Sequence, residues 1–160
     1  MLSNRLKNVV SQVNTGNLIA DIGTDHGYVP IYLIKNSIAK KAIAADISKG
    51  SCDKAKTNIS LYGLNDKIDV RCGNGLEIIK DSEIIDTIII SGMGGLLTID
   101  VLKSNEKAVK NANQLILQPQ RDIEKVRAYL HSINYKIINE EMLMESGKYY
   151  TIINAVKGSD

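Results

Sequence analysis

The sequence predicts an α/β fold: a mostly parallel, seven-stranded sheet with helices on both faces, finished by an antiparallel hairpin at the C-terminal end. Three observations predict it. Short runs rich in Ile, Val and Ala alternate with helical stretches at the spacing of strand–helix–strand units, which forces parallel pairing and right-handed crossovers. The first such run passes straight into a glycine turn, Gly23-Thr-Asp-His-Gly27, and then into a helix, the arrangement that places a ligand at the end of a sheet strand. The last two runs, 135–144 and 149–156, are joined only by Glu145-Ser-Gly-Lys148, which is a hairpin connection with no room for a helix.

Taken in order, residues 1–13 form an amphipathic helix that packs on the domain, with Leu2, Leu6, Val9, Val10 and Val13 on one face and Asn4, Arg5, Lys7 and Asn8 opposite. Strands are expected at 18–22, 41–47, 68–71, 86–90 and 114–117, the last stopped by Pro119. Helices are expected through 29–35, over 48–62 with Gly63 closing it, over 96–102 with the polar stretch to Asn113, and over 121–132 with Ile123, Val126 and Leu130 on one side. Residues 74–80 read as a short helix or turn.

Composition sets limits on this frame. The chain has 160 residues, 44% hydrophobic and 24% charged, and no Trp or Phe, so a single domain spanning 1–160 builds its core from Ile, Leu, Val and Ala. A net charge of +2 neither demands nor excludes nucleic acid. No apolar run approaches the roughly 20 residues of a membrane span, and the start lacks a signal-peptide core, so a cytoplasmic protein without membrane attachment is expected. Cys52 and Cys72 lack metal-ligand spacing and read as free thiols.

The glycine turn carries the chemistry. A dinucleotide site uses GxGxxG, because bare N–H groups must receive a pyrophosphate. Here Asp25 sits in the middle of the turn, where it would repel one. Together with Asp21 it suits a cationic ligand such as the ammonium and sulfonium of S-adenosylmethionine (SAM), which moves the expectation from a dehydrogenase towards a methyltransferase. Asp25 as a plain helix cap is the simpler alternative.

In such sheets the ends of the strands converge on the ligand. Asp46 follows Gly23 by 23 positions, close to the roughly 20 expected of an acid that holds ribose hydroxyls; a cap for the helix near Ser48 competes with that role. Gly73-Asn74-Gly75 offers an amide for an adenine edge, or a plain turn. Ser91-Gly92-Met93-Gly94-Gly95 places dense glycine where cofactor and substrate would meet, with Met93 against the cofactor or simply filling core. His26 has no partners at metal spacing, and neither it nor any other group points to a metal; it reads as a hydrogen-bonding loop residue. Tyr28 stacks on a ligand or packs at the helix start.

The segments Asp21-Ile-Gly-Thr-Asp-His-Gly-Tyr-Val-Pro30, Gly73-Asn-Gly-Leu76, Ser91-Gly-Met-Gly-Gly95 and Leu115-Ile-Leu-Gln-Pro119 resemble the bacterial tRNA (adenine-22) N1-methyltransferase family, in order from about Arg5 to Lys157. The resemblance implies a Rossmann-like class I methyltransferase fold, SAM as cofactor and methylation of an adenine N1 in tRNA. It further implies cofactor contacts from Asp21, Gly23, Asp25, His26, Gly27, Tyr28, Asp46, Ile47, Asn74, Gly75, Ser91, Gly92 and Met93, with Asp25 also the candidate catalytic carboxylate. The family often has Ala at Gly27, Glu at Asp46 and Asn at Gln120, and usually continues into a helical C-terminal domain, so the resemblance covers the catalytic domain only. A SAM enzyme with another substrate and a non-catalytic SAM-binding module are the other readings.

Overall fold

The structure is a computed structural model describing residues 2–158. Met1, Ser159 and Asp160, which the expected domain includes, lie outside the described residues. The elements run α1 (Asn4–Ser11), β1 (Gly16–Ile22), α2 (Tyr28–Lys35), β2 (Ala39–Asp46), α3 (Lys49–Leu61) and β3 (Ile68–Cys72), then a 3-10 turn (Gly75–Ile78). They continue with β4 (Thr87–Met93), α4 (Gly95–Lys103), α5 (Glu106–Asn111), β5 (Gln114–Pro119), α6 (Ile123–Ser132), β6 (Tyr135–Glu145) and β7 (Lys148–Lys157).

One seven-stranded sheet has the order β3-β2-β1-β4-β5-β7-β6. The pairs from β3 through β5 are parallel, and β7 pairs antiparallel with both β5 and β6. The expected hairpin is present, its turn made by Ser146 and Gly147 at φ 52° and 78°, the positive-φ pair that matches the twist of the flanking strands. Strand order reverses between β1 and β4, so the connections leaving these two strands go to opposite faces and a cleft opens at their carboxyl ends.

The central strands are buried on both sides, which is why Ile88, Ile89 and Ile90 form an unbroken apolar run rather than an alternating one. One face packs the 3-10 turn, α4, α5 and α6 around Leu76, Leu102, Val126 and Leu130. The other packs α1, α2 and α3 around Val9, Ile31, Leu33 and Ile59. The apolar face of α1 therefore docks on the domain, and its start is fixed by the Ser3 hydroxyl accepting the Leu6 N–H at 3.2 Å.

Most elements begin or end within a few residues of expectation, and three differences change the reading. β4 runs on to Met93 through a register shift between Ser91 and Met93, so the glycine-rich stretch begins inside the strand rather than after it. The stretch from Leu96 to Asn113 is two helices, because the Asn105 side chain accepts the Ala108 N–H at 3.0 Å and starts a new one. β5 includes Pro119, at the strand end where a missing N–H disrupts nothing. Among the described residues, no helix is long and apolar enough to cross a membrane.

Candidate functional site

A cleft of about 330 Å³ lies at the carboxyl ends of β1, β2 and β4. Of the residues singled out from sequence, Asp21, Gly23, Asp25, His26, Tyr28, Asp46, Ser91, Gly92 and Met93 line it. Gly27, Ile47, Asn74 and Gly75 do not. Gly27 precedes α2 at φ 77°, and a Cβ there would meet Ala55 at 3.3 Å. Ile47 is exposed beside Asp46. Asn74 starts the 3-10 turn, and Gly75, at φ 56°, lies against Ser104.

The turn after β1 is shaped by its backbone. Gly23, Asp25 and Gly27 all have positive φ, at 80°, 56° and 77°. For Asp25 this is a costly conformation, of the kind that persists where the surroundings impose it. What imposes it is Asp46. One carboxylate oxygen accepts the Asp25 N–H at 3.1 Å and the other the Ser48 N–H at 3.0 Å, so a single side chain fixes both the glycine turn and the start of α3. Asp46 thus supports the start of α3, as the cap reading expects, and also borders the cleft. Gly23 lies under Met93, whose Cε would stand 2.9 Å from any Cβ placed there.

Asp21 is 3% exposed at the end of β1 and borders the cleft. Burial pushes its carboxyl up to about 7, and the nearby Asp46 charge adds to the rise. No cation faces it among the described ion pairs, so a buried carboxylate here invites a cationic ligand. The Asp25 carboxylate is exposed and lies 3.6 Å from His26 Nε2, while the His26 ring sits 5.3 Å from that of Tyr28. The His26 carbonyl accepts the Asn58 side chain at 2.9 Å, which anchors this turn to α3.

The opposite wall holds residues that sequence reasoning did not select. Arg5, expected only on the polar face of α1, reaches into the cleft and donates to Gln118 Oε1 at 3.1 Å. The same oxygen accepts the Gly92 N–H at 3.0 Å, and two donors converging on it fix the orientation of the carboxamide. Arg5 also contacts Glu145 at 3.8 Å and lies over the Tyr150 ring. Leu6, Thr24 and Val29 complete the lining. For Thr24 the signal is its place within the glycine turn and for Gln118 its place within the Leu115–Pro119 segment; for Arg5 nothing local exists, since its partner is remote in sequence. Among the described residues, no group of His, Cys, Asp and Glu could hold a metal ion.

A parallel sheet with a C-terminal hairpin, a glycine turn and an acidic cleft at the switch point defines a methyltransferase-type domain, and the methyltransferase domain family model matches residues 2–153. The tRNA (adenine(22)-N(1))-methyltransferase of Bacillus subtilis is 40% identical over 157 residues, covering 98% of this chain and 66% of that relative. The crystal structure of the B. subtilis M1A22 tRNA methyltransferase TrmK superposes with a TM-score of 0.93 at 39% identity, over 99% of this chain and 68% of that one. TrmK of M. capricolum, in complex with S-adenosyl-homocysteine, gives 0.92 at 36% identity over 100% and 71%. The chain belongs to the tRNA (adenine(22)-N1)-methyltransferase family. It spans just under two thirds of the length of the curated B. subtilis relative.

Proposed function

We propose that this chain is the SAM-binding catalytic domain of a cytoplasmic enzyme that methylates N1 of an adenine in tRNA. The observation that carries the reading is the acidic cleft at the β1–β4 switch point, in a chain 40% identical to a B. subtilis tRNA (adenine(22)-N(1))-methyltransferase. The residues present fit SAM: Asp21 is buried and takes part in none of the described ion pairs, so it suits the ammonium, and Asp46 stands at the end of β2, a position suited to ribose hydroxyls. A pyrophosphate would meet three carboxylates, Asp21, Asp25 and Asp46, which disfavours a dinucleotide.

Bound there, SAM supplies an electrophilic methyl group. Adenine N1 carries a lone pair in the ring plane, so no residue must first remove a proton. The work left to the chain is orientation and exclusion of water. Gly92 and Gly94 leave open space above the backbone, since a Cβ on either would touch nothing within 4 Å, and a base can approach closely there. N1 lies on the pairing edge, so the adenine must be unpaired and turned out to reach the cleft. The methylated ring is cationic, and the exposed Asp25 carboxylate is the candidate to stabilise the charge that develops on it.

The test is methyl transfer from SAM to unmodified tRNA transcripts, with digestion to detect 1-methyladenosine, beside a thermal shift with SAM and with NAD. Methyladenosine and a shift with SAM alone are expected; a shift with NAD alone would overturn the reading. Asp25→Asn is expected to lower turnover far more than SAM affinity, and equal losses would refute a direct catalytic role.

A further inference from the structure

We propose that Cys52 and Cys72 form a reversible intramolecular disulfide that switches the Asp46 side of the cleft between a binding-competent reduced form and a weakened oxidised form. They are the two cysteines of the chain, and the fold brings them together from α3 and the last position of β3. Cys72 is the register partner of Asp46 across the β2–β3 pair. Cys52 Sγ lies 3.5 Å from the Asp46 carbonyl and Cys72 Sγ 3.7 Å from that of Ile47, so the two thiols converge on consecutive carbonyls of one turn. Neither is part of a disulfide in this structure.

Their environments divide the labour. Cys72 is exposed and Cys52 buried. Burial first, and then the neighbouring Cys72 thiol, push the Cys52 thiol up to about 11, so the first encounter with an oxidant falls to Cys72. With a low-molecular-weight disulfide such as oxidised glutathione, the Cys72 thiolate attacks one sulfur and expels a glutathione thiolate. The Cys52 thiolate then attacks the Cys72 sulfur and expels the second. Two protein thiols are oxidised by two electrons, one small disulfide is reduced to two thiols, and the two protons leave with the released glutathione.

The consequence for the cleft follows from what the turn holds. The Asp46 carboxylate carries the Asp25 and Ser48 N–H groups, and its carbonyl accepts the Gly73 N–H at 2.9 Å. A sulfur–sulfur bond of about 2.0 Å draws the end of β3 and the start of α3 together against that turn and displaces the carboxylate. This coupling rests on the SAM reading above.

The experiment treats the chain with oxidised glutathione and reads intact mass, peptide map and SAM affinity before and after reduction. A monomer lighter by two hydrogens, a Cys52–Cys72 cross-linked peptide, and SAM binding weakened about tenfold, the loss of one hydrogen bond to a charged group, and restored by dithiothreitol, are expected. Cys72→Ser is expected to bind SAM like the reduced protein and to lose all sensitivity to the oxidant. Mixed disulfides or disulfide-linked dimers without the internal bridge would overturn the proposal, as would a bridge that leaves SAM affinity unchanged. Failure of the reduced protein to bind SAM would overturn the cofactor reading and the switch with it. Bridge formation is read by mass, so that failure is told apart from failure of the disulfide.

Discussion

The wall of the cleft built by β1 and β2 takes its acidic side chains from residues 21–46, whereas the wall built by β4 joins Gly92 to Gln118 and then to Arg5, 113 positions away from Gln118. The first wall is carboxylate-rich, with Asp46 bridging two adjacent loops and Asn58 anchoring the glycine turn to α3. The second is open at its glycines and braced by a cation from the N-terminal helix. A cationic cofactor needs the first kind of wall, and a neutral base that becomes cationic needs the space of the second. On the proposed function these two roles fall on different walls, Asp25 excepted, so substitutions are expected to separate them in solution.

The largest effect is expected from Asp21→Asn. On the proposed function it removes the buried charge that faces the ammonium and is expected to weaken SAM binding about a hundredfold, while the protein without SAM melts higher because no carboxylate must be ionised in the interior. Isothermal titration and a thermal melt check both halves; unchanged affinity would show that the acidic wall does not select the cation.

Arg5→Ala tests the other wall. Turnover with tRNA is expected to fall about thirtyfold while SAM affinity changes less than about twofold, because Arg5 braces Gln118 and Gly92 rather than the acids. A loss confined to SAM affinity would merge the two walls.

The pH dependence is smaller and specific to Asp21. Its carboxyl titrates near 7 when folded and near 3.8 when unfolded, so between these values the folded state binds more protons and stability falls as pH rises, levelling off above about 7. Cation binding runs the other way, and SAM affinity is expected to rise about tenfold from pH 6 to pH 8. Asp21→Asn is expected to flatten both profiles.

Gln114→Leu is the control with the least effect on the cleft. Gln114 is buried at the start of β5 and binds Thr87, Asn14, Gln12 and Asn154. Losing it is expected to cost about 2 kcal/mol of stability, read by urea unfolding, with SAM affinity unaltered.

The sequence by itself determined the strand–helix alternation, the closing hairpin and the acidic wall. These rest on local signals: apolar periodicity, positive-φ glycines at turns, and carboxylates at the ends of adjacent strands. It also placed Ser91, Gly92 and Met93 at the cleft, because three glycines after an isoleucine run have few other uses. The tertiary structure decided what depends on distant partners. Arg5 looks like any solvated residue on an amphipathic helix until α1 packs against the sheet and Gln118 comes within 3.1 Å. Cys52 and Cys72 look unrelated until β2 and β3 pair and α3 folds back over them. Asn74 and Gly75, which the sequence offers as a ligand loop or a plain turn, start a 3-10 turn with Gly75 against Ser104. Periodicity reports which way a side chain faces relative to its own element, and only packing sets what stands opposite it.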